Sequence, residues 1–146
     1  AIREDVMRDI ALFLLLMLSP SVAMTGELKD STAAVALAEK VVQKASTGDV
    51  RGGLELARPY LAIPSSQFDV LLGQLEMQAP VQATRYGKSI GYELLRNDTV
   101  ADSLIRIIYI QKFERHAVFW IFYFYKPKND WLLSELSYSD ALTSAF

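Results

Sequence analysis

The sequence has no cysteine and one histidine, His116. Without cysteine there is no disulfide framework, so stability must come from packing. With one histidine, any metal site would have to be built from carboxylates, and no two acids share paired spacing on one element; no metal and no cofactor is expected. His116 as a general base tuned near neutral pH would stand in a Glu-Arg-His turn. That setting favours a solvated surface residue. Phosphate-loop glycines are missing too, since Gly52-Gly53 has neither the spacing nor the lysine. No serine occupies a nucleophile elbow. Charge of one sign is also lacking, with 15 Lys and Arg against 17 Asp and Glu. That balance supplies no basic stripe for nucleic acid and no polybasic hook for anionic lipid.

The sequence also lacks an apolar run of the roughly 20 residues that a membrane span requires. What it has is Ile10 to Leu18 (IALFLLLML), nine apolar residues without a charge. That length fits the core of a secretory signal peptide. Ser19 and Pro20 end the segment, and Ser21-Val22-Ala23 gives the small residues a signal peptidase needs. Residues 1–23 are therefore read as a signal peptide cut after Ala23. Met7 is the plausible true start and Arg8 the leading positive charge, with residues 1–6 upstream of it. No cysteine follows, which excludes the lipid-anchored form of export. The membrane is met only in transit. The mature chain loses Arg3 and Arg8 from its bases and Glu4, Asp5 and Asp9 from its acids, leaving a net charge near −1. An exported chain without disulfides suits a bacterial periplasm, so the expected location is periplasmic or secreted.

After a polar linker over 24–31, residues 32–146 read as one domain that changes period midway. The first half is helical. A helix is expected over Thr32 to Ser46, capped by Asp30 or Ser31, with Ala34, Leu37, Val41 and Ala45 on one stripe. Asp49 caps a second helix from Val50 to Leu61, weakened at its start by Gly52 and Gly53, with Pro59 near its end as a point where it can break. A third opens at Ser65 or Ser66 with Phe68, Leu71, Leu72, Leu75 and Ala79 inward, and Pro80 ends or kinks it. The second half predicts strands at Ser89–Asn97, Ser103–Glu114, Ala117–Lys126 and Trp131–Ser139. Polar links at Asn97-Asp98, Glu114 to His116 and Pro127 to Asp130 make these strands antiparallel neighbours.

The stretch Val118 to Tyr125 (VFWIFYFY) has no polar alternation, which predicts a strand covered on both faces. With Phe113 opposite Val118 and Lys126 opposite Trp131, one face carries Ile105, Ile107, Tyr109, Phe113, Val118, Trp120, Phe122, Phe124, Trp131 and Leu133. This face should meet the helices. The other face carries Ile108, Ile110, Phe119, Ile121, Tyr123, Tyr125, Leu132, Leu136 and Tyr138 among Arg106 and Lys112, and is amphipathic. A one-residue slip would exchange the faces.

Helices followed by a bent antiparallel sheet and an aromatic hairpin, FWIFYFYKPKNDWLLSELSYSD from Phe119 to Asp140, resemble the NTF2-like superfamily of cone-shaped α+β domains. Trp131 opening the last strand after a polar turn is part of that likeness. A cystatin-like fold is the alternative, with three helices before the sheet counting against it. The resemblance implies a conical cavity between helices and sheet, and a homodimer through the outer sheet face. It implies no reaction, because fold and function are loosely coupled.

Two functional readings follow. In the first the protein is an exported, non-catalytic binding or interaction domain. Tyr109, Trp120, Phe122 and Trp131 would line a site for an apolar small molecule. Phe119, Ile121, Tyr123, Tyr125 and Tyr138 would form the interface. In the second it is a cavity enzyme of isomerase or dehydratase type. The resemblance then implies a buried carboxylate (Glu93, Asp102 or Glu135) beside a tyrosine donor (Tyr92 or Tyr109). Glu135, placed on the helix-facing surface, is the leading candidate; its alternative is a strand-edge acid facing solvent or pairing with Lys126.

Overall fold

The computed structural model describes residues 27–146, so the proposed signal peptide lies outside the described residues. The elements are α1 (Ser31–Ser46), α2 (Val50–Ala57), a short 3-10 turn (Arg58–Tyr60), α3 (Ser65–Tyr86), β1 (Ser89–Val100), β2 (Leu104–Phe113), β3 (Ala117–Tyr125), β4 (Leu132–Ser139) and a closing 3-10 turn (Leu142–Ala145). The protein is α+β, with three helices packed on one open antiparallel sheet of order β1-β2-β3-β4.

The helix starts follow their caps. Asp30 Oδ1 accepts from Ala33 N at 2.8 Å, and Asp49 Oδ1 from Gly52 N at 2.8 Å. The α1 stripe of Ala34, Leu37, Val41 and Ala45 is buried, joined by Ala38 and Val42. Gly53 has a packing reason: a Cβ there would stand 2.6 Å from Val41 O, so its bare backbone lets α2 lie against α1. The second helix gives way to the 3-10 turn where Pro59 enters, short of Leu61 and at the break the proline marks. Arg58 anchors that turn. It makes two bonds to Glu55 (2.7 and 2.9 Å), one to Asp69 (2.7 Å) and one to Ser65 (2.9 Å), with its guanidinium 4.7 Å from the Phe68 ring centroid.

Pro80 does not end α3, which continues to Tyr86. The proline ring is exposed, and the turn beyond it is held from the sheet side, where Tyr138 bonds Gln82 and Tyr86 bonds Asp140 at 2.7 Å. The stretch read as a linker contributes to the core at Leu28, which is buried and bridges Trp131, whose N–H donates to Leu28 O at 2.8 Å.

Two strand links differ from expectation. Asn97 and Asp98 stay in β1, because Asp98 pairs across the sheet with Arg106 at 2.6 Å; the turn falls at Ala101 to Ser103. Val118 opposes Gln111 rather than Phe113. The link itself is Glu114 to His116 as expected, and the backbone N–H groups of Glu114 and Arg115 bond Lys88 O (3.0 Å) and Tyr86 O (2.9 Å) at the end of α3. A two-residue offset preserves the faces, and Ile105, Ile107, Tyr109, Trp120, Phe122, Phe124 and Leu133 are all buried against the helices.

In the last hairpin the register starts as expected, with Tyr125 opposite Leu132, and then shifts at a bulge between Tyr123 and Phe124. Beyond the bulge the sides of β4 exchange. Leu136 and Tyr138 turn to the helices, and Glu135 turns to solvent opposite Tyr123. On the outer face the closing 3-10 turn packs on β3, and Phe119 and Ile108 are buried.

Candidate functional site

The helix-facing side of β2 reads Ile105, Ile107, Tyr109, Gln111, Phe113. Gln111 is the one amide in this apolar row, and only 5% of it is exposed. A buried amide needs partners. Its Oε1 accepts from Trp120 Nε1 at 3.0 Å, and its Nε2 donates to Ser89 Oγ at 3.1 Å. Trp120 in turn stands edge-on to Tyr138, with ring centroids 4.8 Å apart, and the Tyr138 hydroxyl donates to Gln82 on α3.

Above this polar chain the packing opens into a cavity of about 300 Å³. Its walls come from the end of α1, the start of α2, one side of α3 and all four strands. Small residues keep it open: Ala45 and Gly48 on one side, Ala79, Ala83 and Gly87 on the other. The aromatic wall is Phe113, Trp120 and Tyr138, and Lys88 lies at the side. No Asp or Glu is among the described residues that line it. Burial pushes the Tyr138 hydroxyl well above its ordinary pKa, so it stays a neutral hydrogen-bonding group.

Of the residues expected to bind a ligand, Trp120 lines the cavity. Tyr109, Phe122 and Trp131 are buried core side chains outside it. Tyr138, expected at an outer interface, lines the cavity instead, because the β4 bulge turned it inward. Gln111, Gln82, Ser89 and Lys88 were missed. The signal for Gln111 was available: it occupies an apolar-face position in a period-two strand.

The acid and base candidates are not brought together. Glu93 is exposed and pairs with Lys112 on the outer face. Asp102 is exposed in the β1–β2 turn, and Glu135 is exposed on β4, contrary to its expected helix-facing position. Tyr109 is pushed up to about 12, by burial first and then by the nearby Glu39 carboxylate. Burial also raises Tyr92, whose hydroxyl donates to Glu39 at 3.4 Å. Tyr92 and Tyr109 stand 6.1 Å apart by ring centroid. Neither tyrosine lines the cavity.

His116 is half-buried rather than solvated. Its ring stacks on Tyr86 at 4.5 Å, and Nε2 lies 2.8 Å from Asp140 O. Tyr86 donates to Asp140 Oδ2, which holds that carboxyl below its ordinary range. The group ties the ends of α3 and β4 to the β2–β3 turn.

The outer face carries one apolar row across all four strands. Val100 opposes Leu104, Leu104 opposes Tyr125, and Tyr125 opposes Leu132. Val100 is 63% exposed, Leu104 48% and Tyr125 44%. The neighbouring row (Asp98, Arg106, Tyr123, Glu135) is polar.

Compared with known proteins, the chain matches no family model, no curated protein and no solved structure.

Proposed function

We propose that this chain is an exported, non-catalytic binding domain that holds a small, largely apolar molecule between α3 and the sheet. The observation that carries this reading is the cavity of about 300 Å³, walled by Phe113, Trp120 and Tyr138 and with no carboxylate among the described residues that line it. Its size falls at the lower end of small-molecule pockets, about 300 Å³, and its apolar wall with a few fixed polar groups is their usual composition. The isomerase or dehydratase alternative has less support, because Glu93, Asp102 and Glu135 face solvent. An NTF2-like cone is supported by the order of three helices, then a four-stranded meander bent by bulges in β1 and at the β3–β4 pair.

The test is titration of the ¹⁵N-tryptophan-labelled protein with phenyl and short alkyl alcohols and acids, following the Trp120 indole resonance. Saturable shifts are expected in the native protein, and their loss in Ala79→Phe, which fills the cavity. If no compound moves that resonance, the reading fails. Export rests on the Ile10 to Leu18 run, and N-terminal sequencing of exported protein is expected to begin at Met24.

A second reading, self-association into a homodimer, is favoured by the outer row in which Val100, Leu104 and Tyr125 are exposed beside half-buried Leu132. Sedimentation at tens of micromolar tests it: a dimer is expected, reduced to monomer by Tyr125→Asp. A monomeric native protein removes it.

A further inference from the structure

We propose that the cavity selects a monocarboxylate, its apolar body against Phe113 and Trp120 and its carboxylate on Gln111, Ser89 and Lys88. This deepens the binding reading above and rests on it.

The argument begins with the direction of one hydrogen bond. An indole N–H can only donate. Its contact with Gln111 therefore identifies Oε1 as the amide atom facing Trp120, and Nε2 as the one facing Ser89. Nε2 gives one hydrogen to Ser89 Oγ. A second amide hydrogen and the Ser89 hydroxyl hydrogen are left without an acceptor among the described residues. Across the cavity, the Tyr138 hydroxyl donates to Gln82 Oε1, and the Gln82 Nε2 hydrogens have no acceptor among the described residues. The polar groups lining this space are therefore rich in available donors.

Of the lining residues, Ala45 and Ala83 have engaged carbonyls, and the carbonyls beside them at the two helix ends are engaged too. At the end of α1, Gln43 O accepts from Ser46 Oγ (2.7 Å) and Lys44 O from Thr47 Oγ1 (2.8 Å) and Asp49 N (3.0 Å). Ala45 O takes Gly48 N at 3.0 Å. At the end of α3, Ala83 O accepts from Gly87 N at 3.1 Å, and Tyr86 O from Arg115 N at 2.9 Å. The Arg115 side chain bonds Thr84 O and Arg85 O at 3.3 and 3.5 Å. A ligand that donates hydrogen bonds finds these carbonyls occupied, whereas one that accepts finds open partners.

Charge separates a carboxylate from a neutral carbonyl. Lys88 is the only charged side chain among the lining residues, and its ammonium has no ion-pair partner among the described residues. Glu114, the nearest acid along this edge, bonds the Lys88 backbone N–H at 3.2 Å and does not line the cavity. The ends of α1 and α3 turn their negative dipole ends this way, which opposes an anion. Arg115 sits on the end of α3 and offsets that field there. Lys88, exposed at the side of the cavity, adds a full positive charge to its rim.

The experiment compares matched acids and alcohols on the full chain, by calorimetry and by the Trp120 indole resonance: phenylacetate with 2-phenylethanol, and hexanoate with 1-hexanol. The acids are expected to bind at least about tenfold more tightly, as charge-assisted hydrogen bonds are about twice as strong as neutral ones. Lys88→Met, at an exposed position, should remove most of that preference while alcohol affinity stays within about twofold. Ser89→Ala should weaken the acids more than the alcohols. Alcohols binding as tightly as acids, or Lys88→Met weakening both alike, would overturn the carboxylate assignment and leave the cavity reading standing. No shift with either class overturns both.

Discussion

The indole N–H of Trp120 on β3 donates to Gln111 Oε1 on β2 at 3.0 Å, and both side chains are at least 95% buried. This bond turns an otherwise costly amide into a cross-strand tie, and it orients the amide that faces the cavity.

Replacing Gln111 with Met keeps the volume but leaves the indole N–H buried without a partner. An unsatisfied buried donor costs about 1–3 kcal/mol. Urea unfolding of Gln111→Met should show a loss of that size. An unchanged midpoint would mean that water or a shift of the ring replaces the bond.

The bulge between Tyr123 and Phe124 makes a prediction opposite in sign to simple strand alternation. Glu135→Ala should change stability by no more than about 0.5 kcal/mol, as expected for an exposed site. Leu136→Ala, which removes a core side chain, should cost about 2–5 kcal/mol. A reversed order in chemical denaturation would place Leu136 outside and remove the bulge.

Gly53 offers a second reversal. On propensity alone, Gly→Ala within a helix gains about 1 kcal/mol. Here the added methyl would meet Val41 O at 2.6 Å, so α1 and α2 must separate. Gly53→Ala is expected to lower stability by about 1–3 kcal/mol, the usual range for overpacking. A higher melting temperature for this variant would contradict the close helix approach.

Acid should weaken the protein through its surface pairs. The Arg58 bonds hold the Glu55 carboxyl below its ordinary value of 4.5, and the Arg51 bonds do the same for Glu76. Tyr86 lowers Asp140 likewise. A carboxyl with a depressed folded-state pKa contributes stability above its unfolded value, and the contribution disappears as pH falls through the folded one. Urea midpoints should therefore decline from pH 5 to pH 3. The decline should be shallower in an Arg51→Met, Arg58→Met double variant. Equal slopes in the two proteins would show that these pairs carry none of the acid sensitivity.

Much of the architecture was readable before any coordinates. Asp30 and Asp49 mark their helices because an aspartate at that point bonds the first free N–H groups, a strictly local rule. The α1 stripe and the inward row of β2 and β3 follow from periods of 3.6 and 2, which depend only on neighbours along the chain. The β1–β2 link, by contrast, begins later than Asn97-Asp98 suggests, and only Ala101 to Ser103 form the turn. What decided otherwise was Arg106 on the next strand.

The missing cysteine, the even charge and the Ile10 to Leu18 run were properties of the chain alone, and they bound what it can do wherever it folds. So did the change from helical to strand period that made it α+β. Tertiary structure decided the rest of the site. The β4 bulge exchanged Glu135 for Tyr138 on the inner face, and the meeting of Ala45, Ala79 and Ala83 opened a space no single segment encodes. A cavity is a property of how separate elements fail to fill one another. Its size comes from small residues far apart in sequence, so local periodicity holds no record of it.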